Sequence, residues 1–522
     1  MLSRLPEIES MGADVPGPLR RYRDAQLLSA VGFGVWWVLL SPAILATIGP
    51  KGVGGARIAY NAALFVVSPV AGGAVERGDA LRLLTWSSLG RVVVYAAAPL
   101  LWAFVRQYDR VDYVFAPSFF ALMAADGVFV ALVNVASIDC GGTDLIAARL
   151  GLGAAVTDEL RDQFNALHQL FLDGSMVVGA PAVAVALYVA ATTSGDLPNQ
   201  SLALLGALGA VMVVSFGVAV ALYGAVGAAA PARTPNSDEP PAKGGLLRQM
   251  GGALRALPSD ASYVASLDGR LLWRVFFLAI DTAVEDAVVA VVLPALANEL
   301  ACRPHGIATT GAAYAEHCDG EWRLRGGAYL SVIVAVGKIG GVLAGVVMHA
   351  RAAEHQAQGD AHYRKLFKSS LLGGLSFLGV PAVALGAVPG LGRDGTYALI
   401  CLATFGFFLL MTMPKIGFAT LLQHMATASD APGRVFGFTA AFIMVVDSLV
   451  VAGLSLCAPS ATMKLSTFLW IAGGSVAAIG LFEGACGPRL VLGAKGDGPR
   501  PSLGADALGG DTLDTARPLI NA

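Results

Sequence analysis

The chain has 522 residues, of which 56% are hydrophobic and only 14% charged, and its formal net charge is -2. With a mean hydropathy of +0.66, this composition points away from a water-soluble globular protein, and the near-neutral charge gives no footprint for a nucleic-acid partner. Residues 1–24 are polar, carry charges of both signs and lack an apolar stretch of the kind a cleavable signal peptide needs.

From Ala25 to Glu483 the chain reads as a dozen apolar stretches separated by short turns that carry Arg and Lys. A bilayer core about 30 Å thick needs roughly 20 apolar residues per helix. Inside it every backbone polar group must be paired within the protein, which leaves helices or closed barrels. The runs are too long and continuous for barrel strands, so the expectation is an all-α, multi-pass membrane protein with about twelve transmembrane helices. In chain order the spans fall near 25–49, 56–75, 83–105, 113–138, 165–192, 201–227, 271–297, 328–348, 369–389, 396–413, 433–457 and 465–485. With both termini on the cytoplasmic side, most of the 35 Lys and Arg residues also lie there, in the sense of the positive-inside rule. Arg91 and Lys338 stay within spans.

The longest polar stretch between spans, residues 228–270, contains Pro231, Pro235, Pro240 and Pro241 among charges of both signs. Such a segment reads as a flexible cytoplasmic linker between an N-terminal six-helix bundle, 25–227, and a C-terminal one, 271–486, with a disordered tail over 487–522. A plain surface loop is the alternative reading of the same residues. Two helix bundles with a binding site between them near the midplane is a common transporter build.

Several stretches carry a family resemblance. Ser68-Pro69-Val70-Ala71-Gly72-Gly73-Ala74-Val75-Glu76-Arg77-Gly78-Asp79, after the second span, resembles the Gly-rich, charged loop of the major facilitator superfamily. Gly341-Val342-Leu343-Ala344-Gly345 with His349 and Arg351 is a weaker echo in the second half. Asn165-Ala166-Leu167, Gly179-Ala180-Pro181 and Pro432-Gly433-Arg434-Val435-Phe436-Gly437 fit the same pattern. The resemblance implies the major facilitator fold and a secondary transporter, not an enzyme, working by alternating access on a small molecule or metal ion. It implies no cofactor, and a monomer in the lipid bilayer is expected.

Within that superfamily the chain is most similar to the ferroportin (solute carrier family 40) branch, on Ile138-Asp139-Cys140-Gly141-Gly142-Thr143-Asp144-Leu145-Ile146, on Asn165 and Asp173, and on Leu421-Leu422-Gln423 leading through Gly433-Arg434 to Asp447. This resemblance implies export of a divalent metal, iron first. The departures are specific. The family's first-span site needs an acid and a second ligand, and Val31-Gly32-Phe33-Gly34-Val35-Trp36-Trp37 has neither. Its second site uses a Cys in span seven and a His in span eleven, where this chain has Asp286-Ala287 and Asp447-Ser448-Leu449-Val450.

The residues themselves offer a set of ionisable side chains at membrane depth, where charge is costly and therefore faces a cavity or a partner. The candidates for substrate or proton binding are Asp126, Asp173, Asp281, Glu285, Lys338 and Asp447. Asp281 and Glu285 lie one turn apart on a helix and so share a face. That placement suits proton coupling or a cation ligand, and equally a salt bridge to Lys338 or Arg274. Asn165, Gln169 and Asp173 line one face of span five, with His168 beside them, as a cavity wall or a wet helix end. Conformational-gate candidates are Glu76, Arg77, Asp79, Arg91, Asp144 and Arg434, whose alternative is simple anchoring of loops in water. Gly337, Gly341 and Gly345, spaced by four, read as a helix-packing stripe. Cys302 and Cys318, with His305 and His317 nearby, suit an extracellular disulfide better than a zinc site, because the spacing matches no zinc motif.

No GxxxxGK[ST] loop, G-x-S-x-G elbow or HExxH helix is present. The main alternative to metal export is a proton-coupled exporter or antiporter of small organic solutes, with Asp281 and Glu285 as proton carriers. The apolar first span with Trp36 and Trp37 favours that alternative, and the excess of buried acids favours a cation.

Overall fold

The computed structural model describes residues 15–48, 50–76, 80–105, 114–134, 137, 142–156, 160, 164, 167–168, 170–179, 197–231, 246–302, 321–350, 360–384, 392–427, 429, 431–457 and 464–492. Among these there is no strand. The helices are α1 (Gly17–Ile48), α2 (Pro50–Glu76), α3 (Ala80–Val105), α4 (Ala116–Asn134) and α5 (Gly142–Arg149), then α6 (Leu170–Gly179) and α7 (Leu197–Ala229). After them come α8 (Leu246–Leu267), α9 (Leu271–Ala287), α10 (Leu293–Cys302), α11 (Glu321–Ala350), α12 (Asp360–Phe377), α13 (Gly379–Ala384), α14 (Arg393–Thr427), α15 (Pro432–Leu456) and α16 (Leu465–Leu492). Eight helices among the described residues are long and apolar enough to cross a membrane.

The residue types suit a medium without water. Polar side chains inside the helices return their hydrogen bonds to the preceding turn, as Ser29 does to the Ala25 carbonyl at 2.9 Å and Thr404 to the Ile400 carbonyl at 2.8 Å; a hydroxyl satisfied on its own helix leaves no exposed polar group. Large apolar side chains point outward. Leu100 and Leu456 are 70% and 87% exposed, whereas Arg91, Asp126, Asp281, Asp447 and Glu483 are buried. A polar interior under an apolar exterior is the arrangement a bilayer selects.

Helices up to α7 pack on one another through the pairs α3 with α7, α1 with α7, and α2 with α4. Helices from α9 onward do the same through α11 with α14, α12 with α16, and α9 with α15. Contact between the two groups runs mainly through α2 against α15 and α1 against α11. A buried cluster spans both groups, from Trp36 and Tyr60 to Val288, Phe408 and Val451.

Four boundaries differ from the sequence reading. The segment ahead of the first span is helical from Gly17, because Leu19 and Tyr22 are fully buried against Ile146, Phe164 and Tyr223. The stretch read as a flexible linker contains α8, with Pro258 inside it; its Val264 is buried in a cluster with Phe277, Phe367 and Phe436, and this apolar face holds the helix against α2, α9 and α15. The last helix runs past Gly487 to Leu492, with Val491 buried. Span ten extends well beyond residue 413, since α14 reaches Thr427 with Pro414 inside it.

The packing stripe of α11 is also shifted. A Cβ built on Gly337 would lie 2.6 Å from the Phe408 ring, and one on Gly340 would overlap the Phe405 backbone carbonyl, while Gly345 has open space. Close approach of α11 to α14 therefore depends on Gly337 and Gly340. Gly340→Ala is expected to destabilise the protein by about 1–3 kcal/mol, the usual cost of overpacking, and Gly345→Ala to change nothing measurable; thermal melting of the purified protein in detergent checks both.

Candidate functional site

Helix α9 carries three acids within two turns, and each goes to a different partner. It runs on into a π-helical segment, Val288–Val292, which begins two residues after Asp286. Such local widening of a helix is frequent at functional sites.

Glu285 stands at the centre of a four-charge network. Its Oε1 accepts a hydrogen bond from Lys338 Nζ on α11, and its Oε2 accepts one from Lys415 Nζ on α14 at 2.8 Å. Lys338 Nζ also lies 3.7 Å from Asp173 Oδ1 on α6 and 4.9 Å from the centre of the Phe408 ring. Gly341 makes room for Asp173, since a Cβ there would stand 3.3 Å from the carboxylate. Two lysines and two acids cancel in charge, which is how such groups survive burial.

The neighbouring acid turns the other way. Asp286 accepts a hydrogen bond from Arg57 Nη2 on α2, and the same nitrogen lies 3.2 Å from Asp447 Oδ2 on α15. Asn61, one turn after Arg57, donates to Asp447 Oδ2 at 2.5 Å. The Arg57 guanidinium sits 5.2 Å from the centre of the Tyr60 ring, so the cation is stabilised on a ring face as well as by carboxylates. Arg57, Asn61 and Asp447 are all buried.

A third pair lies among the earlier helices. Arg91 Nε donates to Asp126 Oδ1 at 2.8 Å and Tyr95 Oη donates to Asp126 Oδ2 at 2.7 Å. The Arg91 guanidinium packs 4.1 Å from the Phe216 ring centre and 5.5 Å from that of Phe33.

Asp281 and Glu285 go to different partners. One turn of helix separates them, and Glu285 is taken by its two lysines while Asp281 turns towards α12 and α16. There Ser370 Oγ approaches Asp281 Oδ1 at 3.5 Å and donates to Glu483 Oε2. Of the two cations weighed for this face, Lys338 is the one in contact; Arg274 lies 3.3 Å from Asp268 instead.

Among the gate candidates, Arg434 pairs with Asp260 on α8 at 2.7 Å and lies 4.6 Å from the Tyr263 ring centre. It thus ties the start of α15 to the helix inside the former linker. Arg91 belongs to the buried pair with Asp126, and Asp144 lies half-buried in the first turn of α5. The Glu76 side chain, Arg77 and Asp79 lie outside the described residues, as do Asn165, Gln169, Cys318 and the side chain of Cys302. His168 is buried. Among the described residues no three His, Cys, Asp or Glu side chains come together as a metal site.

Sequence reasoning passed over Arg57, Asn61, Lys415 and Glu483. Arg57 stands at the edge of an apolar run, where a basic residue reads as a headgroup anchor. Lys415 fell just beyond the end drawn for span ten. The spacing of Arg57 and Asn61 by one turn was the available signal.

Comparison of the whole chain with solved structures places this helix arrangement. It is similar to the peptide transporter POT, with a TM-score of 0.57 and 15% identity over 93% of this chain and 97% of that one. It is similar to a bacterial homologue of the iron transporter ferroportin in an inward-facing state, with a TM-score of 0.54 and 14% identity over 90% and 98%. It also resembles the nucleoside transporter NupG, with a TM-score of 0.52 and 11% identity over 90% and 98%. The chain has the major facilitator fold. It is an integral, multi-pass membrane protein. No family model and no curated protein matches the sequence. At these identities the likeness establishes the major facilitator fold alone, and the ferroportin homologue is no more similar than the peptide transporter.

Proposed function

We propose that the protein is a secondary transporter that moves a small solute across a membrane by alternating access between two six-helix bundles, driven by a solute or ion gradient. The observation that carries this reading is the set of three ion contacts joining the early helices to the late ones: Arg57 to Asp286, Arg57 to Asp447, and Asp173 to Lys338. Buried charges that meet across a boundary between helix groups can exchange partners when one group rocks against the other, and so bias two states.

A small organic solute moved with or against protons is the reading this geometry favours. Both oxygens of Glu285 hold lysines, so a divalent cation arriving there would meet two ammonium groups before any free carboxylate. The second reading is export of a divalent metal, as the ferroportin-like stretches imply. One feature favours it: Asp286 and Asp447 share a single cation, and Asp447 Oδ1 is buried without a donor among the described residues.

Flux into proteoliposomes separates the readings. Radiolabelled dipeptide, nucleoside and sugar, and iron, cobalt and manganese ions, would be offered with and without a pH gradient. Saturable organic flux that responds to the gradient supports the first reading, and saturable metal flux lost in Asp447→Asn supports the second. Absence of flux for every probe class would count against both.

A further inference from the structure

Asp281 on α9 and Glu483 on α16 are 1% and 0% exposed, and their carboxyl groups lie within hydrogen-bonding reach of each other. The other acids of the site each have a cation against them: Asp126 has Arg91, Asp286 and Asp447 have Arg57, and Asp173 and Glu285 have Lys338. These two have each other and a serine. Asp281 Oδ2 and Glu483 Oε1 are buried with no donor among the described residues.

The hydrogen-bond inventory decides what is missing. Ionised carboxylates only accept, and a serine hydroxyl has a single proton to give. Ser370, itself fully buried, spends that proton on Glu483 and can meet Asp281 only as an acceptor. Two carboxylates in contact with one hydroxyl therefore lack a donor between them. Two negative charges at this separation in a low-dielectric interior also repel strongly. One added proton answers both problems, because it turns one carboxylate into a donor and removes one charge.

We infer that Asp281, Ser370 and Glu483 form a proton-binding site, separate from the lysine network around Glu285, that holds a single proton between two carboxyl groups. Release of that proton leaves two buried carboxylates, with the proton passing to water.

The surrounding charges fit this assignment. The elements packed most extensively against α9 are α8, α14, α15 and α16, and α2, α11 and α12 reach its acids through Arg57, Lys338 and Ser370. Helix α14 brings Lys415, which is held by Glu285 at 2.8 Å. Helix α15 brings Asp447 and Arg434, and α8 brings Asp260; Arg57 holds the first, and the other two hold each other. Lys415 also attracts Asp281. A deprotonated Asp281 would therefore compete with Glu285 for Lys415, giving proton release a route to the network that joins α6, α9, α11 and α14. That last consequence rests on the transport reading; the proton site does not.

The site is tested by infrared difference spectroscopy on the full chain in liposomes, between acid and alkaline pH and in light and heavy water. The expected result is a component of the protonated-carboxyl C=O stretch, shifted down in heavy water, that is lost in the Asp281→Asn/Glu483→Gln variant. Ser370→Ala, which removes only a hydroxyl, should shift its frequency without abolishing it. The proposal is overturned if the double variant keeps the full wild-type band, if Ser370→Ala leaves the band unmoved, or if sodium ions at constant pH abolish it, which would make the site a cation site. No solute enters this measurement, so a protein that shows the band but moves nothing across a membrane would sink the transport reading alone.

Discussion

Glu285→Gln is expected to abolish the flux proposed above and to destabilise the protein more than any other single neutral substitution among the buried acids described. The neutral amide accepts on one side only, so Lys338 and Lys415 lose the carboxylate that both contact. Removing one partner of a buried ion pair costs about 3–5 kcal/mol, because the remaining charge stays buried without compensation. Lys338 keeps Asp173 at 3.7 Å, but Lys415 is left with longer-range attraction to Asp173, Asp281 and Asp286. The measurement is thermal unfolding in detergent, run beside flux in proteoliposomes. A second substitution, Lys415→Met, in the Glu285→Gln background should recover part of the loss, since it removes the orphaned charge. Full stability of Glu285→Gln would show that the lysines are not held as described.

Arg57→Ala is expected to have the second largest effect, with a different signature. It strips the shared cation from Asp286 and Asp447 and removes a contact between α2 and the later helices. A latch worth about 1–3 kcal/mol changes a two-state equilibrium by roughly 5–150-fold. The expected result is a shift in which face of the protein is open, read as altered labelling of single cysteines placed at the two ends of α2 and α15, with flux reduced by a comparable factor. Adding Asp447→Asn to Arg57→Ala should restore stability in part, because residues in one network couple by about 0.5–3 kcal/mol. Additive losses in the double variant would mean that the two residues do not interact.

These two predictions rest on residues of unequal legibility. Glu285 stood out because an acid in the middle of an apolar run is costly wherever it goes, and that cost needs no neighbour to be recognised. Its partner Lys338 stood out for the same reason. Arg57 and Lys415 did not, since each sits near the end of an apolar run, where long basic side chains ordinarily reach the headgroups. The pairing of Asp281 with Glu483 on α16 was beyond reach by periodicity, because the two residues are far apart in the chain. Helical spacing placed Asp281 and Glu285 on one face, and one turn of separation was enough for α11 and α14 to claim one while α12 and α16 claimed the other.

What the amino-acid sequence determined by itself is the class of the molecule. Run length, hydropathy and the obligation to pair every backbone group inside a bilayer dictate membrane-spanning helices, and those constraints are local to each segment. It also determined that buried acids and bases must find partners. Tertiary structure alone decided which partners they found, because ion pairs between helices depend on packing distances, and residues as small as Gly340 and Gly341 set those distances. It likewise decided that residues 246–267 fold as a helix against α2, α9 and α15, since the stability of that segment comes from an apolar face buried by other parts of the chain.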